Sequence, residues 1–336
     1  MHYVVLGAGA VGSVLGGMLS VSRHTVTLVC REPHARAIAS GGLRLRSATG
    51  DHAVRPHVCT ALADARLDAD ACVFLTVKAH DAPAAIEELA RTGCADLPVF
   101  TFQNGVNTEE VAMRHLHRVY GGVCRMTCSM IQPGHAAYRR LGRLIVGKFP
   151  RGGDATQRAV ADDLEAAGFG VAHSRSVMND KWLKLAVNTQ SVFHAVIDPR
   201  DHNVNAFFDL KARILAETQR VFRAAKVRAR SCDGSDPTIA EMIDALRRPR
   251  VRRESRGMKV GNSVWQDLYL RRPRLEAEYI HGPVIDLAAR HGVPAGVNRA
   301  ALDLARGALA AGEGPDTRRL REVLERVDAS CRKAGT

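Results

Sequence analysis

The sequence predicts an α/β domain followed by an all-α domain. The chain begins with an apolar segment, residues 3–6, that contains two valines and is typical of a buried β-strand. A glycine-rich turn and a helical pattern of apolar residues follow this segment directly. Strand signals then recur up to about residue 173, after which long helical periodicities dominate. We therefore predict an N-terminal Rossmann-type domain over residues 1–174 and a helical domain over residues 175–336.

The turn after the first strand fits the pattern Gly-x-Gly-x-x-Gly, which in a strand–turn–helix context is the dinucleotide-binding fingerprint. The first glycine permits the tight turn, the second lets backbone N–H groups approach a pyrophosphate, and the third lets helix and strand pack closely. The N-terminus of the helix also favours the anion. The residues expected to bind the cofactor here are Gly7, Ala8, Gly9, Ala10, Val11 and Gly12.

The second strand, residues 25–30, indicates which cofactor is used. Sites specific for NAD place Asp or Glu at the end of this strand, where the carboxylate holds the ribose hydroxyls. Here Cys30 is followed by Arg31, whose guanidinium suits a 2′-phosphate. NADP is therefore the expected cofactor, although Glu32 keeps NAD open as an alternative.

The rest of the chain is predicted from periodicity and from turn residues. In the first domain the pattern predicts helices over 33–39, 82–90 and 155–167, a hairpin over 41–51, strands over 71–77, 98–102 and 168–173, and β-structure over 118–149. In the second domain it predicts helices over 176–197, 205–226, 236–247, 275–291, 298–310 and 317–332. Lys78, Gln103 and Asn104 follow predicted strand ends, which face the ligand crevice of a doubly wound sheet, so we expect them at the site.

Composition excludes several classes of protein. The 336 residues are 46% hydrophobic and 25% charged, a globular balance for about two domains. No apolar segment reaches the roughly 20 residues of a membrane span, and the N-terminal strand leaves no room for a signal peptide. The eight cysteines form no metal-binding motif and indicate a reducing cytoplasm. We expect a cytoplasmic protein with no metal site.

The net charge of +13 is concentrated in part in the arginine-rich stretches 247–253 and 271–274. Basic stretches of this kind can mark nucleic-acid binding. However, aromatic residues make up only 5% of the chain, so stacking platforms are scarce, and no nucleic-acid motif is present. We expect a solvated basic surface that attracts small anions and does not bind nucleic acid.

Polar residues at helical spacing mark the second domain as the site of chemistry. Lys184 and Asn188 are four residues apart and therefore share a helix face, with Lys181 on nearly the same stripe. A lysine and an amide on an inward face can protonate and hold a carbonyl group. A solvated lysine is the alternative explanation of this segment.

The chain resembles the ketopantoate reductases (2-dehydropantoate 2-reductases) over nearly its full length. The motifs that carry the resemblance are Leu6-Gly7-Ala8-Gly9-Ala10-Val11-Gly12, Thr76-Val77-Lys78-Ala79, Gln103-Asn104-Gly105, Trp182-Leu183-Lys184-Leu185-Ala186-Val187-Asn188, Ser263 in a Ser-x-x-Gln-Asp setting, and Glu276-x-Glu-Tyr-Ile-x-Gly. The resemblance implies that NADPH binds between a Rossmann domain and a helical domain, and that the substrate is a small 2-oxo acid.

The resemblance also implies residue roles. By this match Lys184 is the general acid, Glu276 is its charged partner and also a cofactor contact, and Asn104 lies at the nicotinamide and the substrate. Asn188 and Ser263 match substrate-holding positions. The remaining cofactor positions are Arg31, which matches the 2′-phosphate ligand, and Gln103, while Lys78 matches a contact to the cofactor or the substrate. An ammonium group near the carbonyl oxygen would stabilise its growing negative charge and supply the proton.

Two departures from the family pattern leave the acceptor open. Val192 stands where the family has a second asparagine, one helical turn beyond Asn188, and the arginine-rich stretch 247–256 is longer than in compact members. The alternatives are a relative that reduces another ketone or an imine, and a non-catalytic NADPH-binding sensor. The presence of Lys184 and Glu276 disfavours the sensor. Stereochemistry and oligomeric state are not determined, although the helical domain can support a homodimer.

Overall fold

The structure is a computed structural model that describes residues 1–48, 50–248 and 261–335. It divides into two compact units. The first comprises Met1–Gln103 and Asn107–Met178, and the second comprises Asn104–Val106 and Asn179–Thr336. The first unit is α/β and the second is helical, which confirms the predicted fold class.

All strands of the described residues lie in the first unit. In chain order they are β1 (His2–Leu6), β2 (Thr25–Val29), β3 (Leu43–Ser47), β4 (Gly50–Val54), β5 (His57–Cys59), β6 (Ala71–Leu75), β7 (Val99–Thr101), β8 (Val119–Arg125), β9 (Cys128–Gln132), β10 (His135–Tyr138), β11 (Arg143–Lys148) and β12 (Gly170–His173). The main sheet has the order β12-β11-β8-β7-β6-β1-β2-β5. Its strands pair in parallel except for β11, which is antiparallel to β8.

Helices cover both faces of the main sheet. In chain order they are α1 (Ala10–Val21), α2 (Glu32–Gly41), α3 (Ala82–Arg91), α4 (Thr108–Met113) and α5 (Ala155–Ala166). The apolar residues of α1 and α5 join one core cluster, and those of α3 and α4 join another. Because both faces are covered, the central strands β1 and β6 are buried along their whole length, which explains their continuous apolar sequences.

A second sheet of order β4-β3-β10-β9 packs against α1. The predicted hairpin over 41–51 is confirmed by the antiparallel pair β3 and β4, in which Ser47 lies opposite Gly50. The parallel pairing of β3 with β10 joins segments about 90 residues apart and has no local signal in the sequence. Side chains of β3 alternate, with Leu43 and Leu45 buried and the intervening arginine exposed, as expected of a sheet with one covered face.

The remaining helices are α6 (Val177–Asn188), α7 (Ser191–Val196), α8 (Asn205–Ala224), α9 (Ile239–Arg247), α10 (Ser263–Tyr269), α11 (Ala277–Arg290), α12 (Gly296–Ala310) and α13 (Leu320–Ala334). The core of the helical unit is formed chiefly by α7, α8, α10, α11, α12 and α13. The predicted helical ranges omit α10. Most of the arginine-rich stretch 247–256 lies outside the described residues. None of the described helices is long and apolar enough to cross a membrane.

The prediction of one helix over 176–197 is wrong, because α6 ends at Asn188 and α7 begins at Ser191. The N–H group of Thr189 is shared between Leu185 O and Ala186 O, at 3.0 and 3.2 Å. Its hydroxyl donates to Ala186 O at 2.7 Å. Such side-chain and 3₁₀-type bonds tighten the last turn of a helix and compete with its continuation.

Candidate active site

The glycine loop between β1 and α1 is tightly packed at two of its three glycines and open at the other. Gly7 has φ +98°, and a Cβ there would lie 2.5 Å from Val77 N, so only glycine fits. A Cβ on Gly12 would lie 2.5 Å from Thr76 Oγ1. In contrast, a Cβ on Gly9 would meet nothing closer than 3.9 Å. The loop is therefore packed tightly at its first and third glycines and open at its second.

Some backbone N–H groups of this loop have acceptors at the end of β2, whereas those at the start of α1 have no acceptor within the helix. The N–H groups of Gly7 and Ala8 donate to Val29 O at 3.0 and 2.9 Å, which fixes the loop to the end of β2. Ala10 to Gly12 form the first turn of α1, where N–H groups have no acceptor within the helix. No side chain caps α1 at Gly9. This N-terminus can therefore accept an anion, and it fits the pyrophosphate of a dinucleotide.

A buried polar chain that sequence reasoning missed supports the loop from behind. Ser13 Oγ donates to Ala8 O at 3.2 Å and lies 3.0 Å from His34 Nε2. The Gly134 N–H donates to His34 Nδ1 at 2.9 Å. Because Nδ1 accepts, the proton of the neutral ring is on Nε2, which donates to Ser13. Burial lowers the pKa of His34, which favours this neutral form.

Arg31 lies two residues beyond the end of β2, at the N-cap position of α2, and it is exposed. The neighbouring Glu32 forms an i,i+4 ion pair with Arg36 at 2.9 Å. The Glu32 carboxylate, which left NAD possible as the cofactor, thus forms an ion pair within α2. Arg31 is exposed to solvent near the end of β2.

Gln103 and Lys78 follow the ends of β7 and β6. Gln103 is buried, and its Nε2 donates to Leu75 O at 2.9 Å and to Val77 O at 3.0 Å. These bonds join the ends of the two strands. The amide nitrogen of Gln103 is therefore used in bonds to the protein backbone. Lys78 is half-buried.

The lysines of α6 differ in environment. Lys181 is only 3% exposed, whereas Lys184 and Asn188, one turn apart, are both half-buried. The ring of Trp182 packs edge-on against Phe222 of α8, with the ring centroids 5.2 Å apart. Lys184 and Asn188 lie on one face of α6, and this face stays partly accessible.

Asn104 and Glu276 are brought together, although 172 positions separate them in the chain. Asn104 Nδ2 donates a hydrogen bond to Glu276 Oε1. The next residue, Gly105, has φ +96°, and a Cβ there would lie 3.0 Å from Tyr279 O. A glycine is therefore needed for the segment 104–106 to approach α11, and this approach brings Asn104 to the start of that helix.

Asp267 holds Glu276 in place. Its Oδ2 accepts the backbone N–H of Glu276 at 2.9 Å, and its Oδ1 lies 3.0 Å from Arg272 Nη1. Both carboxylates are buried, with Asp267 1% and Glu276 5% exposed. The sequence shows Asp267 in the Ser-x-x-Gln-Asp motif but contains no local signal for its bond to Glu276, because the bond depends on how α10 meets α11.

Ser263 is the first residue of α10, and the preceding Asn262 caps the helix. Asn262 Oδ1 accepts the Trp265 N–H at 2.9 Å, while its Nδ2 donates to Ser191 O at 2.9 Å. The start of α10 is thus joined to the start of α7. Ser263 is thereby tied to the turn that follows Asn188, and sequence reasoning missed Asn262 as the connecting residue.

Val192 is fully buried in the apolar core of the helical unit, among residues such as Phe193 and Val196. Its methyl groups therefore pack inside the core and do not line an accessible polar site. The expectation that position 192 lies one helical turn beyond Asn188 assumed one continuous helix, and the break at Thr189 removes that assumption.

Together these residues can hold an anion at the glycine loop and can present an ammonium, a carboxylate, amides and a hydroxyl in the helical unit. Asn104 is hydrogen-bonded to Glu276, and Lys184 and Asn188 lie on the same helix, α6. Ser263 follows Asn262, whose side chain is bonded to the start of α7. Among the described residues, no group of His, Cys, Asp or Glu side chains has the arrangement of a metal site.

Comparison with known proteins identifies two matching family models. "Ketopantoate reductase PanE/ApbA" matches residues 3–151, and "Ketopantoate reductase PanE/ApbA C terminal" matches residues 176–309. A 2-dehydropantoate 2-reductase of Archaeoglobus fulgidus is 28% identical over 306 residues, which is 90% of this chain and 96% of that protein. One from Pyrococcus horikoshii is 26% identical over 304 residues, 89% of this chain and 94% of that protein.

Solved structures share the fold. A PanE/ApbA family ketopantoate reductase from Ralstonia eutropha JMP134 superposes with a TM-score of 0.77 at 24% identity, over 93% of this chain and 99% of that chain. A ternary structure of D-mandelate dehydrogenase with NADH and anilino(oxo)acetate superposes with a TM-score of 0.76 at 19% identity, with the same coverage. At these identities the similarity establishes the fold alone.

Proposed function

Because this chain belongs to the PanE/ApbA family of ketopantoate reductases, we propose that it catalyses the NADPH-dependent reduction of a 2-oxo acid to a 2-hydroxy acid. Ketopantoate is the first candidate substrate. The observation that carries the proposal is the hydrogen bond between Asn104 and Glu276, because it joins two family motifs from distant parts of the chain. The same helical unit carries Lys184, Asn188 and Ser263.

The glycine loop and Arg31 would hold the cofactor. The open side at Gly9 and the uncapped N-terminus of α1 fit a pyrophosphate. The exposed guanidinium at the end of β2 fits the 2′-phosphate of NADPH. When bound, NADPH supplies the hydride for the reduction.

Lys184 would act as the general acid. Negative charge grows on the carbonyl oxygen during the reduction, and an ammonium group stabilises that charge and donates the proton. Lys184 fits this role better than Lys181, because Lys181 is almost completely buried whereas Lys184 remains partly accessible. Glu276 would supply the negative charge that keeps such a lysine protonated.

Asn188, Ser263 and Asn104 would position the substrate. Asn188 lies one helical turn from Lys184, so an amide and an ammonium group can contact the same small molecule. The Asn104 amide donates to Glu276, which fixes the direction of the Asn104 side chain. Bound polar groups held in this way need little reorganisation during the reaction.

A relative that reduces a different ketone or an imine is the second candidate. The observation that favours it is Val192, where the family pattern has an asparagine: here an apolar side chain lies in the core, so this position presents no amide to a substrate. A site that lacks a hydrogen-bond partner discriminates against a substrate hydroxyl by about 1–3 kcal/mol.

Oxidation of NADPH and NADH by the purified protein tests the proposal, with a panel of 2-oxo acids that includes ketopantoate and a branched-chain 2-oxo acid. We expect turnover with NADPH and with at least one member of the panel. Turnover of ketones or imines alone would favour the second candidate. Cofactor binding without turnover of any compound would contradict both.

A further inference from the structure

Two hydroxyl groups of the α/β unit hold the carbonyl groups at the start of the glycine loop. The Thr76 hydroxyl donates to Gly7 O at 2.9 Å, and the Ser13 hydroxyl donates to Ala8 O at 3.2 Å. Ser13 is fully buried, and Ala8 is only 2% exposed. The Ala8 oxygen therefore points to a hydroxyl in the interior of the unit and not to solvent.

The direction of the Ala8 oxygen matters because it belongs to the peptide group that precedes the open position of the loop. A Cβ on Gly9 would meet nothing closer than 3.9 Å, and glycine adopts more backbone conformations than other residues. The N–H end of this peptide group donates to Gly7 O at 2.6 Å, which is a bond within the loop itself. Ser13 thus supplies the bond that fixes the peptide group to the rest of the unit. A carbonyl oxygen turned towards a pyrophosphate would repel it, because both carry negative charge.

His34 determines which way the Ser13 hydroxyl points. A serine hydroxyl has one proton, which Ser13 can donate either to Ala8 O or to the ring nitrogen of His34 that lies 3.0 Å away. The Gly134 N–H donates to His34 Nδ1 at 2.9 Å, so the proton of the neutral ring lies on Nε2. Nε2 then donates to Ser13 Oγ and offers Ser13 no acceptor. The Ser13 proton is thereby directed to Ala8 O.

These hydrogen bonds form a directed chain from the turn between β9 and β10 to the glycine loop. The chain runs from Gly134 to His34, then to Ser13, and ends at Ala8 O. We propose that His34 is a positioning residue for the dinucleotide, which acts through Ser13 to hold the Ala8 carbonyl oxygen away from the pyrophosphate. The inference rests on the cofactor binding proposed above and deepens it, since it gives a buried side chain outside the loop a role in cofactor affinity.

Two substitutions of His34 separate its two hydrogen bonds. Gln carries an N–H donor at about the reach of the histidine Nε2, whereas Asn carries an acceptor at about the reach of Nδ1 and is too short to contact Ser13. His34→Gln therefore retains the bond to Ser13, and His34→Asn retains only the bond to Gly134. A role confined to holding the turn at Gly134 would be preserved by Asn, and a role exerted through Ser13 by Gln.

Fluorescence titration with NADPH and with NADH measures the dissociation constants of the unmodified protein and of each variant. We expect His34→Asn and Ser13→Ala to weaken binding by about three- to tenfold, the effect of one hydrogen bond. His34→Gln should bind as the unmodified protein does. The double variant Ser13→Ala/His34→Asn should bind as weakly as Ser13→Ala alone, since both residues act in one chain.

His2→Asn is the matched control. His2 is a buried histidine of the same unit, and its Nε2 lies 2.9 Å from Thr27 Oγ1, so this variant also removes a bond between a histidine and a hydroxyl. His2 begins β1, whereas the glycine loop follows the other end of that strand. We expect His2→Asn to lower the midpoint of urea unfolding and to leave the affinity for the cofactor unchanged.

Three results would overturn the role of His34. One is equal cofactor affinity of His34→Asn and the unmodified protein. Another is a loss in His2→Asn as large as that in His34→Asn, which would show general destabilisation. The third is an equal loss in His34→Gln and His34→Asn, which would show that the bond to Ser13 is not the one that matters. If His34→Asn does not fold, Ser13→Ala replaces it, and unchanged affinity in Ser13→Ala overturns the proposal.

The titration needs no substrate and no turnover, so it fails independently of the proposed reaction. A protein that binds NADPH without reducing any 2-oxo acid contradicts the reaction and leaves this test intact. An active reductase whose His34→Asn variant keeps its cofactor affinity contradicts only the role of His34. In an active protein the loss should appear as a higher KM for NADPH with little change in kcat, because the chain contains no group that reacts. Only a protein that binds neither cofactor would contradict both proposals.

Discussion

Asn104 donates a hydrogen bond from its side-chain amide to the carboxylate of Glu276, so the segment after β7 is bonded to the start of α11. The contact depends on Gly105, whose left-handed backbone lets segment 104–106 pack against Tyr279 O. Glu276 is held from its other side by Asp267, which accepts its backbone N–H at 2.9 Å. A residue held at both its side chain and its backbone loses little conformational entropy when its carboxylate acts on a neighbouring group.

Replacement of Asp267 by Asn should therefore affect catalysis through Glu276. The neutral amide is a weaker acceptor for the Glu276 N–H and removes the charged partner of Arg272. We expect the free energy of unfolding to fall by about 1–3 kcal/mol and kcat to fall more than the affinity for NADPH. Urea unfolding and steady-state kinetics measure the two effects. Arg272→Gln is the matched variant, and a similar kcat loss there would point to the ion pair instead of the backbone bond.

Replacement of Lys184 by Ala should lower kcat by about 10²–10⁴, the usual contribution of general acid catalysis, with little change in the affinity for NADPH. The physical reason is the loss of the ammonium group that would protonate the carbonyl oxygen. Stopped-flow reduction and NADPH titration separate the two quantities. A mild effect of Lys184→Ala, together with a severe one for a folded Lys181→Ala protein, would contradict the assignment.

Replacement of Arg31 by Ala should erode the preference for NADPH over NADH. One charge-assisted contact to the 2′-phosphate contributes about 1.5–3 kcal/mol, or roughly 10- to 150-fold in kcat/KM. The use of NADH should remain nearly unchanged. Arg91→Ala, which removes an exposed arginine of α3, is the control. Equal use of both cofactors by the unmodified protein would show that Arg31 does not select NADPH.

Replacement of Val192 by Asn should destabilise the protein. The side chain is fully buried among apolar residues of the helical unit, and a buried amide without partners costs about 1–3 kcal/mol. We therefore expect a lower midpoint of urea unfolding and no gain in kcat/KM for ketopantoate. A folded variant with improved use of ketopantoate would instead show that position 192 reaches the substrate.

Acid should destabilise the helical unit through His281. This ring is fully buried, and its Nδ1 lies 2.9 Å from Asn298 Oδ1. Burial lowers the pKa of His281 to about 4, although the hydrogen bond to Asn298 and the nearby Glu278 act in the opposite direction. In the unfolded chain His281 titrates near its ordinary value of 6.5. Between these two pH values the unfolded state binds more protons than the folded state. The contribution of His281 to the free energy of unfolding is therefore complete above pH 6.5, and it falls by about 3 kcal/mol as the pH is lowered towards 4.

Urea unfolding over this pH range measures the effect. His281→Gln should flatten the dependence, whereas His291→Gln, at the exposed end of α11, should leave it unchanged. His194, whose pKa burial lowers to about 3, contributes over the same range, so the slope should decrease without disappearing. An unchanged slope in His281→Gln would show that its protonation does not limit stability.

Local patterns in the sequence were sufficient for much of the fold. The strand–turn–helix order at Gly7, the hairpin over 41–51 and most helices of the second unit, though not α10, follow from apolar periodicity and turn residues, which act within a few positions of the chain. The same local logic failed at Thr189, where a side-chain bond ends α6 although apolar periodicity continues.

By itself the sequence determined the residue types of the candidate site and the helix that joins Lys184 to Asn188, because a spacing of four residues defines one face of a helix. Only the tertiary structure brought Asn104 to Glu276, bonded Asp267 to the backbone N–H of Glu276, buried Val192 in the core and set Arg125 opposite Arg143. These contacts join different strands and helices. They depend on how whole strands and helices pack, for which the spacing of neighbouring residues carries no signal.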